Sequence, residues 1–294
     1  MDRLDILIMG SSRPQLLVYL IESLQRFVLS QIQNVEYKIF LHEDFLIPSE
    51  SDKTIKFCKE NNITVVNHNP NIGVGPAMDY MFKKHIKAPY LLYLQDDWEF
   101  ERSGIDVDRI LCMMNRNQNV NCVTFHKYRN MKPFDRWEHK EVEFDGVGMC
   151  LYPGWTFNPG IWRMSKVRQH WRTKKERPEG YWQTGLGTHE QRMSHKYCED
   201  NLGSYVYGGM GEYRYVRHLG GTWRMAEWQM NNKKPGGTLH WEFQSVKRDR
   251  APWLGDLTER PLNKNIKLNK LGKKFYEEQP KHIKEMFKHG LPKN

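Results

Sequence analysis

The sequence predicts an α/β protein: an open, mostly parallel sheet flanked by helices, followed by a basic C-terminal extension. Three observations carry that prediction. Through the first hundred residues, short unbroken apolar runs alternate with stretches of helical period. Polar clusters stand directly after three of those runs, where an open α/β sheet binds its ligands. Positive charge gathers in the final sixth of the chain.

Leu4–Met9 (LDILIM) reads as a buried strand entering the loop Gly10-Ser11-Ser12-Arg13-Pro14. Leu16, Tyr19, Leu20, Ser23, Leu24 and Phe27 then share one face of a helix over 15–30. Tyr37–Leu41 (YKIFL) is a second strand, running into Glu43-Asp44. Ser51–Asn61 reads as a helix, Ile63–Val66 as a third strand, and 71–85 as a loop followed by a helix. Pro89–Leu94 (PYLLYL) is the fourth strand and leads straight into Gln95-Asp96-Asp97-Trp98. Asn121–Phe125 adds one more strand, after which Gly, Trp and Tyr abound and clean periodicity is lost up to about residue 235. Lys247–Asn294 has scattered apolar residues interrupted by Pro252, Pro261, Pro280 and Pro292, a pattern of short helices or a lid.

Composition narrows the class. With 294 residues, 39% hydrophobic, 13% aromatic, 10 Trp and 14 Tyr, the chain is neither a disordered tail nor a disulfide-stapled peptide. Lys and Arg number 45 against 35 Asp and Glu, a formal charge of +10 that points to nucleic acid, anionic lipid or a phosphorylated substrate as partner. Lys247–Asn294 alone holds about 13 Lys and Arg against about 6 Asp and Glu, so the acidic clusters lie in a half of little net charge. The five cysteines (Cys58, Cys112, Cys122, Cys150, Cys198) are odd in number and form no C-x-x-C, which argues against a disulfide framework or zinc cluster and for a cytoplasmic location. Asp2, Arg3 and Asp5 break any signal-like start, and no stretch approaches the roughly 20 apolar residues of a membrane span. Peripheral membrane contact stays open.

Asp96-Asp97 is the most informative pair. Adjacent carboxylates at a strand end repel each other unless a cation or hydrogen-bond donors offset the charge, and hard divalent ions take such oxygens together with substrate phosphates. The competing reading is a solvated cap at a strand end. Other chemistries lack their motifs: there is no G-x-x-x-x-G-K-[ST] and no G-x-S-x-G, residues 73–78 lack the third Gly of a dinucleotide fingerprint, and Met193, not His, stands three beyond Glu190. Kinase, hydrolase, zincin and dehydrogenase readings lose support accordingly.

Taken in order, four features resemble the nucleotide-sugar-dependent glycosyltransferases of the GT-A fold, family-two type, over residues 4–225. They are the Ser/Arg/Pro loop after the first strand, the acid after the second, Asn71-Ile-Gly-Val-Gly-Pro-Ala77, and the strand ending in Gln95-Asp96-Asp97. The resemblance implies a GT-A catalytic domain over 1–235, with a nucleotide-binding half (1–100) and an acceptor half (101–235), and a basic extension or lid over 236–294. It implies that Ser11, Arg13 and Glu43 or Asp44 contact the base and ribose, and that Asn71 and Gly73 shape the wall beneath the diphosphate. Asp97 would bind Mn²⁺ or Mg²⁺, Asp96 would face the ribose or sugar, and His218 would be a second metal ligand. Gln95 stands where many members have the first Asp of the motif, so coordination by a single carboxylate plus diphosphate is expected. Glu190 is the implied general base, with Glu179 in reserve.

The segment Phe157–Arg163 resembles the family's acceptor-side stretch. Trp155, Trp162 and Trp182, whose indole faces suit sugars and bases, are taken with Arg217 as acceptor-side residues, one or two of the tryptophans touching substrate. The expected activity is a metal-dependent, inverting hexosyl or pentosyl transfer from a nucleotide-sugar, UDP-linked by resemblance. Three readings of the partner stay open: a hydroxymethylated base in phage-type DNA, a polysaccharide or lipid-linked glycan, and a non-catalytic nucleic-acid-binding module on the same scaffold.

Overall fold

The structure, a computed structural model, describes residues 2–10, 13–44, 48–68, 72, 74–125, 141–152, 154–171, 193–194, 196–197, 200, 202–208 and 215–218. The chain divides into two compact units, Met1–Arg217 and His218–Asn294. The first unit contains the sheet; of the second, only His218 is among the described residues.

In chain order the elements are β1 (Asp2–Gly10), α1 (Pro14–Phe27), a 3-10 turn (Leu29–Gln31), β2 (Val35–Asp44), α2 (Pro48–Glu60), β3 (Thr64–His68), α3 (Val74–Lys84), β4 (Tyr90–Gln95), β5 (Trp98–Phe100), α4 (Val107–Arg116), β6 (Val120–Phe125), β7 (Glu141–Phe144), β8 (Val147–Leu151), β9 (Gly160–Arg163), α5 (Met164–His170), β10 (Gly203–Tyr207) and β11 (Val216–His218). The expected elements of the first hundred residues are all present. Pro14 opens α1, where its fixed φ and missing N–H are no handicap. β4 is buried along its whole length, as its unbroken apolar run requires.

Nine strands form one sheet in the order β3-β2-β1-β4-β9-β6-β10-β8-β7. β3, β2, β1 and β4 are parallel, and β9 enters antiparallel between β4 and β6. A Cβ on Gly160 would lie 2.6 Å from the Val123 carbonyl oxygen, so only glycine lets β9 come this close to β6. β7 and β8 form a hairpin whose two turn residues, Asp145 (φ 51) and Gly146 (φ 75), adopt the left-handed backbone that a tight hairpin favours. β5 and β11 make a separate two-stranded ribbon, held to α1 by Ser23 Oγ, which accepts from the Phe100 N–H at 3.0 Å.

Each face of the sheet is covered. Leu4, Ile6 and Ile8 of β1 pack with Leu17, Leu20 and Leu24 of α1 and Ile110, Leu111 and Met114 of α4. The alternate residues Leu7 and Met9 pack with Met78 and Met81 of α3 and Met164 and Val167 of α5. This period-two split is what a strand buried on both faces requires. Asp5, inside β1, accepts from the N–H groups of Lys87 (2.6 Å) and Ala88 (2.8 Å), holding the turn that leads into β4.

At the β2–β3 edge lies an imidazole pair. His42 Nε2 and His68 Nδ1 are 2.8 Å apart with the rings stacked, and the His68 ring meets Tyr80 edge-on. Burial, and then the neighbouring His68 and His85, lower the His42 pKa from 6.5 to about 4. Between those two pH values the unfolded chain binds a proton that the native state refuses, so stability falls as pH drops through this window. Urea unfolding at pH 7.5, 5.5 and 4.5 is expected to show an acid loss of up to about 3 kcal/mol from this residue. His42→Leu should flatten that part of the profile; an unchanged slope would remove the assignment.

Candidate active site at the switch point of the sheet

β1 lies between β2 and β4, so successive connections leave it in opposite directions and the carboxyl ends of β1 and β4 form a topological switch point. The two ends are tied directly, the Asp96 N–H donating to the Met9 carbonyl at 3.0 Å. From β1 the chain passes into α1, whose N-cap is Arg13. The Arg13 carbonyl accepts from the N–H groups of Leu16 and Leu17, while its side chain takes no part in capping and reaches to the end of β4.

There the guanidinium engages both acids. Nε donates to Asp96 Oδ2 at 3.1 Å, Nη2 donates to Asp96 Oδ1, and Nη1 donates to Asp97 Oδ2 at 3.2 Å. Arg13 is 8% exposed, Asp96 1% and Asp97 0%. A forked, charge-assisted contact of this kind is the strong form of ion pair, and burial prevents water from replacing it. The cation that adjacent carboxylates need is thus supplied from within the chain. Gln95, at the departure from the Asp-x-Asp pattern, donates its amide N–H to the Tyr93 hydroxyl at 3.0 Å along the same face of β4.

Glu43 and Asp44 sit at the neighbouring strand end with roles the sequence did not foresee. Glu43 is fully buried and accepts from the Ser51 hydroxyl at 2.7 Å, which joins β2 to α2. A Cβ on Gly10 would lie 2.8 Å from Glu43 Oε2, so the end of β1 is closed against this carboxylate. Burial, and secondarily the Glu43 charge, push the Cys58 thiol up to about 12, leaving it inert. Asp44 accepts from the Ile72 N–H at 2.9 Å and so holds the segment that precedes α3. Asn71 and Gly73 lie outside the described residues, as do Ser11, Glu179, Trp182 and Glu190.

Three of the acceptor-side residues, Trp155, Trp162 and Arg217, are buried. Trp155 and Trp162, at 1% and 0% exposure, are core residues of the α3/α5 face. Trp162 stacks on Tyr93 with ring centroids 4.4 Å apart, and Trp155 packs against Trp162 and Phe157, so their faces are already covered. The Phe157–Arg163 segment ends in β9, a fully buried strand in mid-sheet, because antiparallel insertion between β4 and β6 leaves it no open face. Arg217 is buried with its guanidinium on Glu99 and on Glu101, where it ties β11 to β5. His218 ends β11 and opens the second unit. Among the described residues no group of three or more His, Cys, Asp or Glu is gathered as a metal cage.

The strand order is that of an α/β protein with a topological switch point, the place where open α/β sheets bind ligands. No family model matches the sequence, and no curated protein does. Among solved structures, the chain is similar to GalNAc-T7 with UDP, GalNAc and Mn²⁺, at 13% identity and a TM-score of 0.53, covering 99% of this chain and 59% of that one. It also matches S. aureus TarS 1-349 in complex with UDP-GlcNAc, at 9% identity and a TM-score of 0.47 over 97% of this chain and 84% of that one. The fold is that of the GT-A-type glycosyltransferases.

The close approach of β1 to Glu43 is open to test. Gly10→Ala is expected to destabilise the protein by about 1–3 kcal/mol through overpacking at a buried carboxylate. Urea unfolding measures this; wild-type stability in the variant would show that Glu43 yields at no cost.

Proposed function

We propose that the protein is a glycosyltransferase that moves a sugar from a nucleoside-diphosphate-sugar, a UDP-sugar in the first instance, to an acceptor hydroxyl. The observation that carries this reading is the buried Asp96-Asp97 pair with Arg13 at the carboxyl edge of β1 and β4, the place where open α/β sheets bind nucleotides. The ligands of GalNAc-T7 in the similar structure, UDP, GalNAc and Mn²⁺, support the donor class.

The donor set suits a hard divalent cation. Asp97 with Asp96 offers carboxylate oxygens only, the chemistry that Mg²⁺ and Mn²⁺ accept when substrate phosphates complete the shell. In this reading Asp97 would hold the ion together with the diphosphate, Asp96 would face the ribose or sugar, and the ion would neutralise charge on the leaving diphosphate. Asp44 holds the Ile72 N–H, and Asn71 and Gly73 are the residues this reading places beneath the diphosphate. Glu190 removes the proton from the acceptor hydroxyl as its oxygen attacks the anomeric carbon. The bond from that carbon to the diphosphate oxygen breaks, the electron pair leaving with the nucleotide, and the configuration inverts.

For the acceptor, a charge of +10 favours a polyanion, and a hydroxymethylated base in DNA is the acceptor to test first, with a glycan as the alternative. Free thiols at Cys58, Cys112, Cys122 and Cys150 support a reducing, cytoplasmic setting. No helix among the described residues is long and apolar enough to cross a membrane.

The deciding experiment is a panel of UDP-, GDP- and TDP-sugars with Mn²⁺, run with hydroxymethylated DNA, plain DNA and glycan acceptors, products being read by mass. Turnover of at least one donor is expected, and absence of both turnover and nucleotide binding would end the enzyme reading. Asp97→Ala should abolish metal-dependent donor binding. Glu190→Gln should leave donor binding intact and lower transfer by roughly 10²-fold or more; full transfer in that variant would dismiss Glu190 as the base. DNA affinity should fall steeply with salt, and no binding at low salt would exclude the DNA acceptor.

A further inference from the structure

We infer that Arg13 is a resident counter-ion that competes with a divalent cation for the Asp96-Asp97 pair, so that metal binds tightly only when Arg13 has moved to another anion. The inference rests on the metal reading of that pair given above and adds a residue and an order of events to it.

Three of the four carboxylate oxygens of Asp96 and Asp97 accept hydrogen bonds from the one guanidinium. A divalent ion on the same oxygens would stand within a few ångströms of a fixed positive charge, in a place where Arg13 is 8% and both acids at most 1% exposed. Water screens such repulsion poorly at buried sites. The two cations therefore exclude each other from the pair or weaken each other on it. Gln95, tied to Tyr93, brings no further negative charge with which both could be accommodated.

Arg13 also has a second kind of anion to turn to. Its backbone is held as the N-cap of α1 by the bonds from Leu16 and Leu17, wherever its side chain points. Guanidinium pairs with phosphate oxygens in the same forked geometry that it uses with carboxylates. An arriving diphosphate can take Arg13 from the acids, which exposes the carboxylates to the metal at the moment the metal has phosphate oxygens to share. Lysine would not serve equally, because a single ammonium cannot span both carboxylates in this forked manner.

The test is Mn²⁺ binding to the nucleotide-free full-length protein, followed by electron paramagnetic resonance of free Mn²⁺. Arg13→Gln keeps a polar N–H donor and removes the charge; it is expected to tighten Mn²⁺ binding by about tenfold or more, with a larger rise in melting temperature on adding Mn²⁺ than wild type shows. Adding UDP should narrow the difference, since wild-type Arg13 is then drawn to phosphate. Unchanged or weaker Mn²⁺ binding in Arg13→Gln, with binding still lost in Asp97→Asn, overturns the counter-ion role and leaves the metal reading standing. Mn²⁺ binding that survives in Asp97→Asn removes both. Should Arg13→Gln fail to fold, Asp96→Asn compared with Arg13→Gln/Asp96→Asn reads the same competition with one carboxylate fewer: tighter binding in the double variant supports the inference and equal binding overturns it.

Discussion

Two neighbouring carboxylates, Asp96 and Asp97, are held almost wholly out of water at the end of β4, and a buried charge needs a partner close at hand. Arg13 meets that need because β1 runs parallel beside β4, the Asp96 N–H is tied to the Met9 carbonyl, and α1 starts at the residue from which a guanidinium reaches both acids. Strand order, the start of α1 and the electrostatics of the switch point are thus one arrangement. Each depends on the others, since moving β1 one strand away would leave the carboxylates without their cation.

The same economy recurs around the sheet. Glu43 is bound by Ser51, Asp44 by the Ile72 N–H, Asp5 by the N–H groups of Lys87 and Ala88, and Glu99 and Glu101 by Arg217. Buried polar groups have to be paired, and here the pairings join a strand end to the loop, helix or strand beside it. The resemblance makes Glu43 or Asp44 a contact to base and ribose, and in the structure each also holds a neighbouring element, Glu43 through Ser51 and Asp44 through the Ile72 N–H.

The aromatic richness of the chain has a comparable explanation. Tyr93, Trp155, Phe157 and Trp162 stack and abut one another on the face covered by α3 and α5. Large rings fill a wide sheet-to-helix gap with few residues and favour offset and edge-to-face contacts. An indole suited to stack on a sugar is equally suited to stack on a tyrosine, and composition does not separate the two uses.

By itself the sequence determined the parallel half of the fold. Strands buried on both faces must be continuous apolar runs, and LDILIM, YKIFL and PYLLYL announce themselves locally, as do the helices between them. It also determined that Asp96-Asp97, if buried, demanded a cation or hydrogen-bond donors, because like charges at adjacent positions repel in any fold. The antiparallel half was less legible: β7 is short and half exposed, β9 has four residues, and β10 pairs with β6 across about 80 residues of chain. One local signal there went unread, the Asp145-Gly146 turn between Glu141–Phe144 and Val147–Leu151. Only the tertiary structure decided which cation answers the acids, because Arg13 is 83 residues from Asp96 and meets it solely through the pairing of β1 with β4. Only the tertiary structure put Trp155 and Trp162 in the core, because burial is a property of what packs on a residue and not of the residue itself.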